Sequence, residues 1–332
     1  MPGIEFQVAA CIVLHESATR LAPLLASLDA QSQPLSRLIF CLNGADDGAA
    51  AIVAGLGDRA VLLRRPDNPG FSAGINACLE RADTSHVLIL NPDVVLDPDY
   101  VARCLAVFGE EDRVGGVAGQ LLRPTDTLGE EAVDSAGFVA QPWLRIVDRA
   151  SGARATDRAF HERESVVGIC AAAALFDRQA LALAAEDGRV MDEDFWMYKE
   201  DQDLCLRLRE IGMRLIFEPG ARAHHERGWA PERSRRDVRL EVRRHSLKNR
   251  YLILMKHWRW REHIWALPFI AGFEIFLFLA LALREPRTMK GYLLALELLP
   301  RMFEKRRVLM SRVRALDWEL EASTAVLPVM PW

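Results

Sequence analysis

Cysteine is scarce in this 332-residue chain, and none of its six cysteines forms a Cys-x-x-Cys pair. Most of them lie inside apolar runs, where a thiol packs as a small hydrophobic side chain. The spacing therefore predicts neither a disulfide framework nor a zinc site. Such cysteine usage is typical of a protein of the reducing cytosol.

Three familiar sequence signals are also absent. Residues 1–5, Met-Pro-Gly-Ile-Glu, have neither the basic segment nor the long apolar run of a secretory leader, so we expect no signal peptide. The chain contains no Gly-x-Gly-x-x-Gly fingerprint and no Gly-Lys-Ser/Thr of a P-loop. The sequence therefore gives no indication of dinucleotide binding or of P-loop nucleotide hydrolysis.

The composition is that of a folded protein. Half of the residues are hydrophobic, 27% are charged, and the net charge is only −4. The length favours two domains. Basic residues outnumber acidic ones in residues 222–261 and again in residues 301–314, which indicates an anionic surface or substrate near the C-terminal third.

Apolar segments of strand length alternate with helical segments in the first hundred residues. The predicted strands cover residues 8–14, 38–42, 61–63 and 87–90, and the clearest helices cover residues 18–30 and 73–82. This alternation predicts a mostly parallel α/β sheet with helices on both faces. Right-handed crossovers would then bring the carboxyl ends of these strands to one edge. The loops 43–48, 64–76 and 91–97 should meet there.

The fourth strand ends in the most informative tripeptide. Its four residues, Val-Leu-Ile-Leu at 87–90, are apolar on both faces and run directly into Asn91-Pro92-Asp93. Pro92 stops the strand, so Asp93 should lie at its carboxyl end, where open α/β sheets bind ligands. A carboxylate there can hold a divalent cation that in turn holds a diphosphate. The alternative is that the tripeptide forms only a turn.

Two further segments allow a structural and a functional interpretation. Glycines border a helix start at residues 68–76, where backbone amides would either begin the helix or receive phosphate and sugar oxygens. Acidic residues crowd around the aromatic residues Phe195, Trp196 and Tyr198 at 191–203, before an apolar helical face. These acids would either cap that helix or form a sugar platform with a catalytic base.

The C-terminal third contains a long apolar segment. Residues 264–283, about 20 in number, are interrupted only by Pro268, Gly272 and Glu274. Trp258, Trp260 and Trp265 lie at the N-terminal border of this segment, among Lys256, Arg259 and Arg261. Glu274 and a bend at Pro268 argue against a simple membrane crossing. Tryptophan and arginine at the border favour an interfacial helix, with a buried core helix as the alternative.

Four motifs occur in a specific order. They are Asn68-x-Gly70-Phe71-x-x-Gly74-x-Asn76, Leu90-Asn91-Pro92-Asp93, Asp192-Glu193-x-Phe195-x-x-Tyr198-x-Glu200-Asp201-x-Asp203-Leu204-x-x-Arg207, and Pro219-x-Ala221-x-x-x-His225. In these motifs the chain resembles family 2 glycosyltransferases of the GT-A (Rossmann-like) fold, in their rhamnosyltransferase-like branch. The resemblance covers roughly residues 7–228. Leu42, where the family usually has Asp, and the first-strand end Leu14-His15-Glu16-Ser17 depart from the pattern.

The resemblance implies a role for each matching residue. Asp93 would bind the metal and the diphosphate, with His225 (or its neighbour His224) completing the metal site. Asp201, beside Glu200, would be the general base. The donor would meet Asn43, Asp46, Asn68, Gly70, Phe71, Gly74, Asn76 and Asn91. The acceptor would meet Asp192, Glu193, Trp196 and Tyr198.

The expected function is inverting transfer of a sugar, such as rhamnose, that depends on Mg²⁺ or Mn²⁺. The donor would be a TDP- or UDP-sugar and the acceptor a polysaccharide or lipid-linked glycan, with no role for nucleic acid. Residues 1–228 would form the catalytic domain, and residues 229–332 a helical region that holds a cytoplasmic enzyme at the inner face of the plasma membrane. The alternative is a non-catalytic nucleotide- or glycan-binding protein, favoured by Leu42 and Asn91; a nucleotidyltransferase fits less well.

Overall fold

A mixed β-sheet of ten strands forms the centre of the structure, a computed structural model that describes residues 6–125, 131–157, 160–226, 238–259 and 263–321. The strands of the chain are β1 (Val8–Leu14), β2 (Arg37–Asn43), β3 (Ala60–Arg65), β4 (His86–Leu90), β5 (Val94–Leu96), β6 (Val114–Pro124), β7 (Glu131–Ser135), β8 (Phe138–Ala140), β9 (Ile146–Asp148), β10 (Glu164–Ser165), β11 (Ala173–Asp177) and β12 (Arg214–His225). Strands β8 and β9 form a separate hairpin.

Six of the described helices lie between strands, and the last three follow the final strand of the sheet. They are α1 (Leu21–Asp29), α2 (Ala49–Ala54), α3 (Phe71–Leu79), α4 (Tyr100–Glu110), α5 (Arg178–Ala184), α6 (Glu200–Glu210), α7 (Leu240–His257), α8 (Leu267–Arg284) and α9 (Lys290–Glu321). The prediction of an α/β fold with flanking helices is confirmed.

The first four strands pair in parallel, as their apolar sequences predict. The long path through the sheet is β10-β12-β6-β11-β4-β1-β2-β3, with β5 on β12 and β7 on β6. Strand β11 lies antiparallel between β4 and β6, because no helical crossover precedes it. The prediction of a mostly parallel sheet is therefore wrong for the second half, where antiparallel pairs are in the majority among the described residues.

Alternate residues of β1 divide between two apolar cores. Ile12 and Leu14 pack with α1 and α4 on one face of the sheet. Cys11 and Val13 pack with α3 and α6 on the other. Five of the six cysteines are buried and none forms a disulfide, so they serve as small core residues. Two covered faces leave the strand ends as the place for polar function.

The three C-terminal helices pack beside this sheet domain. Helix α7 lies against α9 and against the segment that precedes α6. Pro268 occupies the first turn of α8, directly after a 3₁₀ turn at Ile264–Ala266, and its missing amide is tolerated at this position. The predicted domain boundary after Gly228, and Trp260 with its neighbour Arg261, lie outside the described residues.

Candidate active site

Asp93 lies in the turn after β4, with its side chain 13% exposed and two cationic partners. The guanidinium of Arg20 donates to Oδ2 at 3.0 Å, and Nε2 of His225 lies 3.4 Å from Oδ1. Burial alone would raise the pKa of this carboxyl group. Hydrogen bonding to His225 and the charges of His225 and Arg20 instead hold it below its usual range. Asp93 is thus an ionised carboxylate.

His225, and not His224, is the histidine that faces Asp93. Its other ring nitrogen, Nδ1, lies 2.9 Å from Oδ2 of the buried Asp134 on β7. A carboxylate behind a histidine orients the ring and is the usual support of a metal-binding imidazole. His224 points elsewhere, with ring nitrogens 3.4 Å from Asp97 and 3.0 Å from Glu131.

The Asp93–His225 pair fits a divalent cation. It offers one carboxylate oxygen from the turn after β4 and one imidazole nitrogen from the end of β12, and Asp134 supports the imidazole. Two protein ligands leave the remaining positions to diphosphate oxygens and water, as is common for Mg²⁺ in nucleotide enzymes. Imidazole also suits the transition metals among these cations.

Asp201 lies in the first turn of α6, next to Glu200. Its Oδ2 accepts from the amide of Ala171 at 3.4 Å and its Oδ1 from the amide of Gln202 at 2.8 Å. Burial and the neighbouring charge of Asp148 raise the pKa of Asp201 to about 6. Burial and the charge of Asp201 raise that of Glu200 to about 8. Asp201 can therefore accept a proton near neutral pH, which is the property of a general base.

Two adjacent residues bring the turn of Asp93 and the start of α6 together. The amide of Ala171 donates to Asp201, and the carbonyl oxygen of Ala172 accepts from the amide of Asn91 at 2.8 Å. Because neighbouring Cα atoms are only about 3.8 Å apart, the two acids lie at the same edge of the sheet. This edge holds the carboxyl end of β4 and is the predicted position of the site.

The donor-side loops also meet at this edge. Nδ2 of Asn43, at the end of β2, donates to Oδ1 of Asn68 at 2.9 Å. The backbone carbonyl oxygen of Asn43 lies 2.8 Å from Nδ1 of His15. Asp46, from the same turn, accepts from the amides of Gly48 and Ala50 and so begins α2. Asn43 and Asn68 thus join two of the three predicted loops.

The glycines of residues 68–76 allow close packing. A Cβ atom on Gly70, whose φ is +96°, would lie 2.3 Å from Trp196. One on Gly74 would lie 2.8 Å from Val13 on β1. Phe71 packs on the second core. The side-chain amide of Asn76 bonds to Met191 and Glu193, so this residue links α3 to the acidic segment.

The predicted acceptor residues separate into two groups. Trp196 and Tyr198 lie just before α6, with Tyr198 47% exposed, and Glu193 is exposed beside Asn76. Asp192 is instead 4% exposed and accepts from Lys256 at 2.9 Å, and also from Lys305. Both carboxylate oxygens of Asp192 therefore bond to lysines of the C-terminal helices, so it does not face an acceptor in this structure.

Asp192 belongs to a buried ionic cluster, which we define as Glu186, Asp192, Asp203, Arg207, Lys256 and His257. The ammonium of Lys256 contacts all three acids. Those acids lie within 4.8 Å of one another, close enough to hold a metal ion. Burial alone would lower the pKa of Lys256, but Asp203 and Asp192 raise it above its ordinary value. Lys256 and Arg207 thus place two positive charges among the three acids.

Sequence reasoning missed three residues of the site. Arg20 contacts Asp93, Asp134 contacts His225, and His15 contacts Asn43. His15 follows the first predicted strand, so its position could have indicated it. Arg20 lies in a helical turn and Asp134 in a weakly patterned region, and neither carries a local signal.

Comparison with known proteins identifies the family. The family model described as "Glycosyl transferase family 2" matches residues 9–182, just over half of the chain, so the protein belongs to this family. A search among curated proteins found no match.

Solved structures share the fold. The mannosyltransferase PcManGT from Pyrobaculum calidifontis, in complex with GDP-Man and Mn²⁺, is similar at a TM-score of 0.54 and 16% identity, over 96% of this chain and 89% of that one. GalNAc-T7 with UDP, GalNAc and Mn²⁺ is similar at a TM-score of 0.58 and 12% identity. That match covers 76% of this chain and 48% of GalNAc-T7, so the chain aligns with about half of that protein.

Proposed function

We propose that the protein is an inverting, metal-dependent glycosyltransferase that moves a sugar from a nucleotide diphosphate to a hydroxyl group of a glycan. The observation that carries this proposal is the meeting of Asp93, His225 and Asp201 at one sheet edge. Family membership supports the reaction class. The nucleotides and Mn²⁺ in the two similar structures support the donor and cofactor classes.

Each residue of the site has a proposed chemical task. Mg²⁺ or Mn²⁺, held by Asp93 and His225, would neutralise charge on the leaving diphosphate. The Arg20 guanidinium, already beside Asp93, would contact the same diphosphate. Asp201 takes the proton of the acceptor hydroxyl as its oxygen bonds to the anomeric carbon from the opposite face. The bond from that carbon to the diphosphate oxygen breaks, which inverts the configuration.

We propose further that the donor is a TDP- or UDP-sugar, with rhamnose as the transferred sugar. The motif order around Asn91-Pro92-Asp93 and Glu200-Asp201 supports the rhamnosyltransferase-like branch. Leu42, near the end of β2, has an aliphatic side chain, so this position lacks the carboxylate that reads the base in other members. Asn43 and Asn68, joined at this point, would bind the nucleoside in its place.

Thermal stabilisation by candidate donors tests the proposal. TDP-, UDP- and GDP-sugars are each added with Mn²⁺ or with EDTA, and hydrolysis of the donor is followed without an acceptor. We expect one donor class to raise Tm and to be hydrolysed slowly, only in the presence of metal. Stabilisation without hydrolysis or transfer would instead favour a non-catalytic binding protein, and no stabilisation by any donor would refute the proposal.

We also propose that residues 229–332 hold residues 1–228, the catalytic domain, at the inner face of the plasma membrane, where the acceptor would be a growing polysaccharide or lipid-linked glycan. Among the described residues, only Ile264–Arg284 is long and apolar enough to cross a membrane. Its Ile275, Phe276 and Leu283 are 63%, 65% and 84% exposed. Glu274 faces inward and bonds to Arg250 and Tyr251 of α7. Because the Glu274 carboxylate is bonded to α7, we propose that α8 lies in the plane of the membrane–water interface.

Charged substitutions on this face should release the protein from lipid. We expect the double variant Ile275→Glu and Phe276→Glu to bind anionic vesicles at least about tenfold more weakly. Each of these two apolar side chains, once inserted into lipid, would contribute roughly 1.5–3 kcal/mol to binding. Vesicle co-sedimentation measures the binding. Leu183→Glu on α5, where the leucine is 59% exposed, is the matched control. Equal binding of both variants and the wild type would contradict membrane contact through α8.

A further inference from the structure

The loop that leads into the catalytic helix has an unfavourable backbone conformation. We call residues 195–199 the pre-α6 loop. Trp196, Tyr198 and Lys199 in this loop have φ values of +65°, +65° and +68°. Residues other than glycine rarely adopt such φ values, and these conformations persist only where the surrounding structure enforces them. Lys199 directly precedes Glu200 and Asp201, so the loop determines where the proposed base lies.

One face of α7 provides that enforcement. His245, Lys248 and Asn249 are spaced three and four residues apart, so they share one helix face. The His245 ring stacks on Trp196 with centroids 4.6 Å apart. The Lys248 ammonium donates to the carbonyl oxygen of Asp194, and both of these residues are at least partly buried. All three side chains therefore face the residues in front of α6.

Asn249 makes the most extensive contacts. Its Nδ2 lies 2.9 Å from the carbonyl oxygen of Phe195, 2.9 Å from that of Met197 and 2.6 Å from that of Tyr198. Its side chain is completely buried. The opposite amide orientation would place the oxygen against three carbonyl oxygens, so the donor assignment is unambiguous. An amide has two hydrogens, and one of them is therefore shared between two carbonyls.

The glycine loop, residues 68–76, contacts the pre-α6 loop from the side opposite α7. The carbonyl oxygen of Trp196 accepts from the amide of Ser72 at 3.1 Å, and Trp196 fills the space next to Gly70. The pre-α6 loop is thus enclosed between the glycine loop and α7. Helix α7, which lies outside the residues matched by the family model, therefore contacts the loop that connects the nucleotide site with the proposed base.

We propose that Asn249 is a positioning residue for sugar transfer: it holds the pre-α6 loop in its left-handed conformation and thereby aims Asp201 at the acceptor hydroxyl. This inference rests on the proposed function, because it takes Asp201 as the base. Asn249 itself contacts backbone carbonyls only. Its loss should therefore misplace the base while the nucleotide site remains formed.

Two substitutions remove the donors in different ways. Asn249→Ala deletes the amide, and Asn249→Asp keeps its size and shape but replaces the donor nitrogen with an oxygen. Arg244→Gln is the matched control on α7, since the Arg244 guanidinium donates to the carbonyl oxygen of Arg287 instead. Asn249→Ser, which retains one donor, replaces the alanine variant if that variant does not fold.

The experiment combines hydrogen exchange with kinetics in the full-length protein. In both Asn249 variants we expect amides of residues 196–199 to exchange at least about tenfold faster, and kcat per nucleotide-binding site to fall about 10- to 100-fold. Nucleotide stoichiometry should stay at its wild-type value, as should every property of Arg244→Gln. A general loss of stability would lower the number of binding sites, but not the turnover of each.

Two outcomes would overturn the inference. One is wild-type exchange at residues 196–199 in both Asn249 variants. The other is faster exchange with kcat per site within twofold of wild type, which would make the contact purely structural. If the wild type transfers no sugar, the proposed function fails, and the exchange rates still decide whether Asn249 holds the loop.

Discussion

Asp201→Asn is expected to lower the turnover of sugar transfer by about a thousandfold, which is within the usual contribution of a general base. The amide has nearly the same shape, but it cannot accept the proton of the acceptor hydroxyl. Nucleotide binding should survive, because the Asp93–His225 pair is unchanged. Initial rates with donor in excess, together with nucleotide titration, measure the two effects separately.

The wild type should show the matching pH dependence. Burial and the charge of Asp148 on β9 raise the pKa of Asp201 to about 6, while Lys199 within the loop opposes that shift. A base must be deprotonated to act, so turnover should rise from pH 5 to pH 7 and then level off. Asp201→Asn should abolish this rise in its residual activity.

Asp177→Asn is the control for this substitution, because Asp177 also accepts a backbone amide, that of Ala180, at the start of a helix. It should affect stability slightly and turnover per site not at all. Wild-type turnover in Asp201→Asn would remove this residue from the role of base. The buried Glu200, whose pKa is raised to about 8, would then be the next candidate.

Asp93→Asn is expected to abolish metal-dependent donor binding and to lower transfer by at least about a thousandfold, since a Lewis-acid metal contributes several kcal/mol. The substitution removes the carboxylate charge that would bind the cation. Thermal unfolding with nucleoside diphosphate and Mn²⁺ gives a readout independent of turnover. The wild type should show a rise in Tm that EDTA reverses, and the variant should show none.

Asp97→Asn is the matched control for Asp93, because Asp97 lies at the other end of the short strand β5 and faces His224 instead. This control should keep the full Mn²⁺-dependent rise in Tm. An equal loss in both variants would show that β5 and its two ends are needed as a unit. Retention of the rise in Asp93→Asn would remove Asp93 from the metal site.

Local sequence pattern was sufficient to predict much of the sheet edge where the candidate active site lies. An apolar run that ends at Asn91-Pro92-Asp93 positions the carboxylate, because strand burial and the proline stop are both local properties. The parallel pairing of β1 to β4 follows from the alternation of short strands and helices in the same way. These features needed no knowledge of distant residues.

Other features depend on partners far away in the chain. Asp192 has the sequence context of an exposed acidic segment, and its burial is explained by Lys256 and Lys305, 64 and 113 positions later. The side-chain amide of Asn76 bonds to Met191, 115 positions later, and no neighbouring residue indicates this contact. The antiparallel direction of β11 likewise depends on the connection that precedes it, residues 160–172, and the apolar residues of β11 itself do not specify that direction. The prediction of the individual donor and acceptor roles remains to be tested.

The ionic cluster constrains how such enzymes can be recombined. Lys256 comes from α7, and Glu186, Asp192 and Asp203 come from the sheet domain, with every side chain almost fully buried. A chimaera that imports a new set of C-terminal helices to change membrane or acceptor preference must therefore import compatible acids as well. Without them an uncompensated buried charge would cost about 3–5 kcal/mol, enough to prevent many grafted pairs from folding.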